Sequence, residues 1–141
     1  PYTTLFRSRA FQAAVGCVNA DSGSLLWTRA ADGLVGLAAD ESLVFGSEAN
    51  GHVLAWRRGD GERTWSQERL RFRELTAPTV VGRSVAVGDF QGHVHLLSRE
   101  DGQLIGRLST DGSAVAAPPV RVGNTLVVLT RSGGVFGFVP Q

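Results

Sequence analysis

The sequence predicts an all-β fold, a partial β-propeller of about three four-stranded antiparallel blades plus one strand. Three observations predict it: a short apolar strand recurs at nearly constant spacing, a Gly turn follows it, and within each unit every local signal is for strand. Val15, Val53, Val94 and Val135 open equivalent strands at separations of 38, 41 and 41 residues, and the turn glycines Gly23, Gly61 and Gly102 keep step at 38 and 41. A period of about 40 residues is that of one four-stranded propeller blade.

In chain order, AVGCV, HVLAW, HVHLL and GVFGF are the recurring strands, and DSG, GDG and EDG supply turn chemistry after the first three. LVFGS, SVAVGD and TLVVLT form a strand before each of the last three, joined to it through the hairpin tips ANG, FQG and RSG. Pro78, and Pro118 with Pro119, precede two further short runs, as suits a strand start where one backbone donor is dispensable. Counting from Ala13 to Val139 gives 13 strands. They divide into a partial blade at 11–29, blades at 33–67 and 76–109, and a last blade at 116–139 lacking its fourth strand. Propellers close with about 4 to 8 blades, so the chain is expected to be an arc of a ring. The last blade's missing strand would come from the N-terminal part of a longer chain, which removes an exposed edge.

Other features point the same way. The 141 residues contain no Met, so the sequence is expected to be a piece of a longer polypeptide. A leader or lipid anchor lying upstream would be invisible here. Pro1 to Ser8, PYTTLFRS, matches nothing that follows and reads as translated adaptor sequence; residues 1–10 are expected to be unstructured and outside the domain. A net charge of +1, with 14 Arg against 13 acids, gives no field to attract nucleic acid or a membrane surface. No run reaches the roughly 18 apolar residues of a spanning helix. The single Cys17 cannot form an internal disulfide.

The first two units place Trp four residues after the turn Gly: Gly23 with Trp27, and Gly61 with Trp65, the latter preceded by Ala55. The third has Gly102 but Gly106 where Trp would stand. This resembles the tryptophan-docking repeat of quinoprotein-like propellers, Ala-x-Asp-x-x-Thr-Gly-x-x-x-Trp. There a Trp wedges between blades and Gly permits the close approach, so Gly23, Trp27, Ala55, Gly61, Trp65 and Gly102 are read as blade-docking residues. Decay of the Trp toward the C-terminus, with the segment from Thr64 to Val120, resembles the last blades of the propeller lipoproteins of the outer-membrane β-barrel assembly machinery. The resemblance covers about residues 13 to 139. It implies a non-enzymatic, eight-bladed scaffold at the periplasmic face of the outer membrane, held by an N-terminal lipid absent from this chain. It further implies binding to the periplasmic domains of the barrel-inserting subunit BamA, contact with unfolded outer-membrane clients, and no cofactor.

Catalytic and metal chemistry finds little footing. His93 and His95 form an H-x-H pair able to offer two imidazoles on one strand face, but no third ligand is near. His52 occupies the same repeat position as His93, so both are read as strand-entry residues. Cys17 reads as a buried strand residue, and Asp21, Asp60, Asp101 and Asp111 read as turn acids. No catalytic, cofactor or metal residue is assigned. Arg69 to Leu75, RLRFREL, is least explained by the repeat. If extended, it presents Arg69, Arg71 and Arg73 on one face and Leu70 with Phe72 on the other, a mixture suited to protein docking; the plainer reading is a solvated connection covering a blade seam. Three readings therefore stand: an interaction scaffold, the C-terminal part of a quinone-dependent dehydrogenase, and a propeller of the WD type. The second is weakened by the lack of an acidic cluster and of a paired Cys, the third by the lack of a Trp-Asp pair.

Overall fold

The protein is described from a computed structural model that covers residues 2–9 and 12–140, with side chains described from Ala14 onward. Four antiparallel sheets follow one another along the chain. The first contains β1 (Tyr2–Arg9), β2 (Gln12–Asn19) and β3 (Leu25–Ala31). The second contains β4 (Leu34–Ala39), β5 (Leu43–Glu48), β6 (Val53–Arg57) and β7 (Arg63–Gln67). The third contains β8 (Thr79–Val81), β9 (Ser84–Gly88), β10 (His93–Ser98) and β11 (Leu104–Ser109). The fourth contains β12 (Val120–Val122), β13 (Thr125–Leu129) and β14 (Val135–Phe138). Each strand pairs with its sequence neighbour, and no helix occurs among the described residues. This is the all-β, partial-propeller architecture that the repeat implies.

One expectation is corrected. Tyr2–Arg9 is not unstructured: it forms β1, paired residue by residue with β2 from Tyr2↔Asn19 to Arg9↔Gln12. The physical reason is that β2 pairs β3 on one side only, and its remaining N–H and C=O groups accept an extended, Thr-rich segment. By the repeat register, β1 occupies the place that β5, β9 and β13 hold in the later sheets.

Strand periodicity places the core between the sheets. Along β6, Leu54 and Trp56 pack toward the first sheet with Val15, Cys17 and Val44, whereas Val53 and Ala55 pack toward the third with Val85 and Val87. β9 and β10 split likewise: Val85, Val87 and Leu97 face the second sheet, while Ala86, Val94 and Leu96 face Leu126 and Val128 of the fourth. Strands buried on both faces read as continuous apolar runs, which is why HVLAW and HVHLL show little alternation. A register shift between β10 and β11 leaves Ile105 of β11 as the extra residue, and β10 itself keeps continuous register with β9. The short strands β4, β8 and β12 neighbour one another across the sheets. Pro78 and Pro119 immediately precede two of them, and the Thr79 hydroxyl donates to the Pro119 carbonyl.

Candidate functional site

At the seams between sheets, tryptophans hold the interstrand turns in place. Trp27 on β3 is buried, and its indole N–H donates to the Arg58 carbonyl at 2.7 Å, in the turn between β6 and β7. A Cβ on Gly61 would lie 2.5 Å from the Trp27 ring, so a bare backbone is required there. One sheet later the arrangement repeats: Trp65 donates to the Arg99 carbonyl at 2.9 Å, and a Cβ on Gly102 would lie 2.2 Å from its ring. Both glycines also take positive φ, 73° and 75°. Ala55 stands directly opposite Trp65 in the β6–β7 register, and Phe45 packs on Trp65 with ring centroids 5.9 Å apart. Gly23 has the same conformation, φ 72°, with no atom of the described residues near its α-carbon face. At the third seam Gly106 brings no ring; Val115 closes against Gly88 instead, with Leu126 and Val128 beside it.

The turn acids do what their positions suggest. Asp60, Asp101 and Asp111 each accept the backbone N–H two residues on, from Glu62, Gln103 and Ser113. In the first unit the corresponding acceptor is the Ser22 hydroxyl, which takes the Ser24 N–H, while Asn19 accepts the N–H groups of Asp21 and Ser22. Asp111 also accepts the hydroxyls of Ser132, Ser113 and Thr130, and these bonds hold its carboxyl well below the usual carboxylate range.

His93 and His95 lead to a feature that sequence reasoning missed. Both lie beside Asp89, which is only 1% exposed. The Asp89 Oδ2 atom is 2.8 Å from His95 Nε2, 3.3 Å from an Arg73 guanidinium nitrogen and 3.6 Å from His93 Nδ1. Its Oδ1 accepts the backbone N–H groups of Gln91 and His93. Burial raises the Asp89 pKa, but the bonds from His95, His93 and Gln91 outweigh it and leave the pKa lowered. Burial likewise lowers the pKa of His95, outweighing the pull of Asp89 upward. The pair therefore rests as a carboxylate accepting from a neutral imidazole whose proton sits on Nε2. Glu48, at the corresponding tip one period earlier, is also buried; it accepts the Asp32 N–H and lies 3.6 Å from His52. The sequence signal was an acid four residues before each of these histidines, E-A-N-G-H and D-F-Q-G-H. No group of three or more potential ligands able to hold a metal occurs among the described residues.

The connection from Arg69 to Leu75 departs from its expected form. It is a chain of turns, not an extended stripe, and Arg71 stands apart from Arg69 and Arg73, which line one cleft. Leu70 and Leu75, five residues apart, both enter the seam core beside Phe45 and Leu97, and the chain must fold back on itself to bring them there. The backbone at Leu70 lies against Gly51, where a Cβ would meet the Leu70 carbonyl at 2.3 Å. Arg73 turns inward to Asp89, Arg71 pairs with Glu68 at 3.6 Å, and Arg69 stays exposed. Phe72 is left outside, 86% exposed, with φ 62°, and Glu74 follows at 51°. Non-glycine residues rarely take this conformation, and an aromatic one held there in solvent is a point of stored strain. Cys17, by contrast, is fully buried in β2 and its thiol pKa is raised by that burial, which leaves it unreactive.

Sheets stacked through Trp on Gly, with interstrand turns at each seam, define the class: part of a quinoprotein-like β-propeller. The family described as outer membrane protein assembly factor BamB matches residues 7–67. Among curated relatives, BamB of Burkholderia pseudomallei is 44% identical over 131 residues, covering 93% of this chain and 34% of that protein. BamB of Bordetella pertussis is 35% identical, covering 89% and 33%. The crystal structure of BamB from Moraxella catarrhalis superposes with a TM-score of 0.81 at 27% identity, covering 94% of this chain and 41% of that one. The chain is similar to BamB proteins over nearly its whole length, and it spans about a third of the length of the curated relatives it matches. A europium-containing methanol dehydrogenase is similar at TM-score 0.64 and 18% identity over 78% of this chain, a likeness of fold alone.

Proposed function

We propose that this chain is the propeller portion of a scaffold that serves outer-membrane protein assembly and does no chemistry of its own. The observation that carries the reading is the likeness to proteins named as outer membrane protein assembly factors, at up to 44% identity over nearly the whole chain. The site geometry agrees with it: the buried Asp89 holds the connecting loop through Arg73 and the hairpin tip through the Gln91 and His93 N–H groups. The dehydrogenase alternative is weaker, since its support is a fold likeness at 18% identity over 23% of that enzyme. On the scaffold reading, the complete protein sits at the periplasmic face of the outer membrane through an N-terminal lipid. It binds the periplasmic domains of BamA and receives unfolded outer-membrane clients. Arg71 and Phe72 are the residues of this chain offered to such a partner, with Arg69 beside them and Arg73 fixing the loop from within.

The test is replacement of function. In a Gram-negative strain lacking its own BamB-family protein, the complete protein should restore outer-membrane β-barrel proteins toward normal amounts. Failure to restore them, with the protein present and folded at normal abundance, contradicts the assembly role.

A further inference from the structure

A cleft of about 410 Å³ opens where the connecting loop meets the outer strands of the third sheet. It is lined by Arg69, Leu70 and Arg73 from the loop, His95 from β10, and Leu104 and Arg107 from β11. Three guanidinium groups line it and no carboxylate does. Arg73 is partly engaged by Asp89 at 3.3 Å, whereas Arg69 and Arg107 make no ion pair or side-chain hydrogen bond among the described residues. Asp89 is fully buried, screened by Arg73 and by neutral His95, so the opening keeps an excess of positive charge. A recess of similar size near β4 and β8 differs in kind: Asp40 and Glu41 stand there with Arg99 and Arg121, and Arg99 is already paired to Asp40 at 3.3 Å.

Two neighbours of the charge narrow the ligand. Leu70 is buried and Leu104 is partly exposed, which gives the cleft an apolar wall. Among the described residues β11 pairs only with β10 and is the edge strand of its sheet, so backbone N–H and C=O groups are free for an extended chain lying alongside. A free phosphate or a lipid headgroup has no use for a strand edge; a peptide does. We propose that this cleft binds a carboxylate side chain of an extended peptide, with Arg69 and Arg107 as the primary donors and Leu104 receiving an apolar residue two positions from the acid. The assignment goes beyond the assembly reading, because it fixes a ligand chemistry and stands or falls whether or not BamA is the partner.

The experiment compares two fluorescein-labelled peptides on the complete protein by anisotropy, one repeating Glu-Ser-Leu-Ser and the other Gln-Ser-Leu-Ser, so that the polar residue and Leu share one face of the extended chain. The Glu peptide should bind at least about tenfold more tightly at low salt, and the advantage should shrink as salt rises. The double variant Arg69→Glu with Arg107→Glu should abolish the advantage. A control pair away from the cleft, Arg63→Glu with Arg131→Glu, should keep it. If the double variant melts early, the single Arg107→Gln must still cut the advantage at least about threefold. Equal affinity for the two peptides, or an advantage that survives the cleft variants, overturns the proposal. Displacement of the Glu peptide by equimolar inorganic phosphate, or by phosphatidylglycerol vesicles, assigns the site to a phosphate and also overturns it.

Discussion

Trp65 joins two sheets with one side chain: its ring fills the space that Gly102 leaves, and its N–H satisfies the Arg99 carbonyl at 2.9 Å. Replacing it with Ala removes the apolar area and leaves the part-buried Arg99 carbonyl without its donor. We expect Trp65→Ala to cost about 3 to 5 kcal/mol in the complete ring, read from denaturant unfolding; a change below about 1 kcal/mol would deny the seam its dependence on this residue. Asp89 and His95 set a second residue-scale expectation. His95 has a folded-state pKa below its ordinary value, so its contribution to stability is present above about pH 6.5 and is lost as pH falls below that. Asp89, also lowered, contributes above about pH 4 and loses that contribution as pH falls further. The melting temperature of the complete protein should therefore decline as pH drops from about 7 to 5, and His95→Gln should flatten that part of the profile. An unchanged slope in the variant would remove His95 from the account. The Trp and Gly positions stand out in the sequence through one local spacing, but each Trp meets the turn Gly of the following unit, Trp27 on Gly61 and Trp65 on Gly102, a pairing that local spacing does not contain. The Asp89 cluster was not legible there, because Arg73 comes from sixteen residues before it and a different element.

Among the elements, the loop from Arg69 to Glu74 shows where periodicity misleads. Alternation of Arg with Leu and Phe matches an extended strand, but Leu70 and Leu75 cannot share one side of an extended chain, and burial of both imposes turns. Phe72 then sits at φ 62° with its ring in solvent. Phe72→Gly should leave stability unchanged or raise it by up to about 1 kcal/mol, since the strain is relieved and little packing is lost. The same variant should weaken capture of a protein partner. A clear loss of stability would mean that Phe72 packs against something within its own molecule. The strands themselves were readable because each hairpin tip and each DSG, GDG or EDG turn carries its own chemistry. The pairing of Tyr2–Arg9 on β2 was not, because an open strand edge selects for extended backbone rather than for a repeat signature.

For the whole molecule, the distribution of apolar surface matters most. The interior seams are closed, yet the fourth sheet leaves Val120, Val122 and Val135 largely exposed, with Val139 just beyond it, and the first leaves Leu25 and Leu26. Such faces are suited to neighbouring sheets. The 141-residue chain by itself should therefore self-associate, which light scattering after size exclusion would report; a monodisperse monomer that melts cooperatively would contradict this. The arc was legible from the period of about 40 residues, whereas the cationic cleft and the buried acid beneath it needed the sheets to be assembled. The central claim is that this propeller portion belongs to a protein-binding scaffold of outer-membrane assembly. The measurement that tests it most directly is retention of purified BamA periplasmic domains on the immobilised complete protein, with the folded state checked by its melting transition. The account predicts that BamA is retained and that Arg71→Glu with Phe72→Ala reduces the retained amount at an unchanged melting temperature. A folded protein that retains none would contradict it.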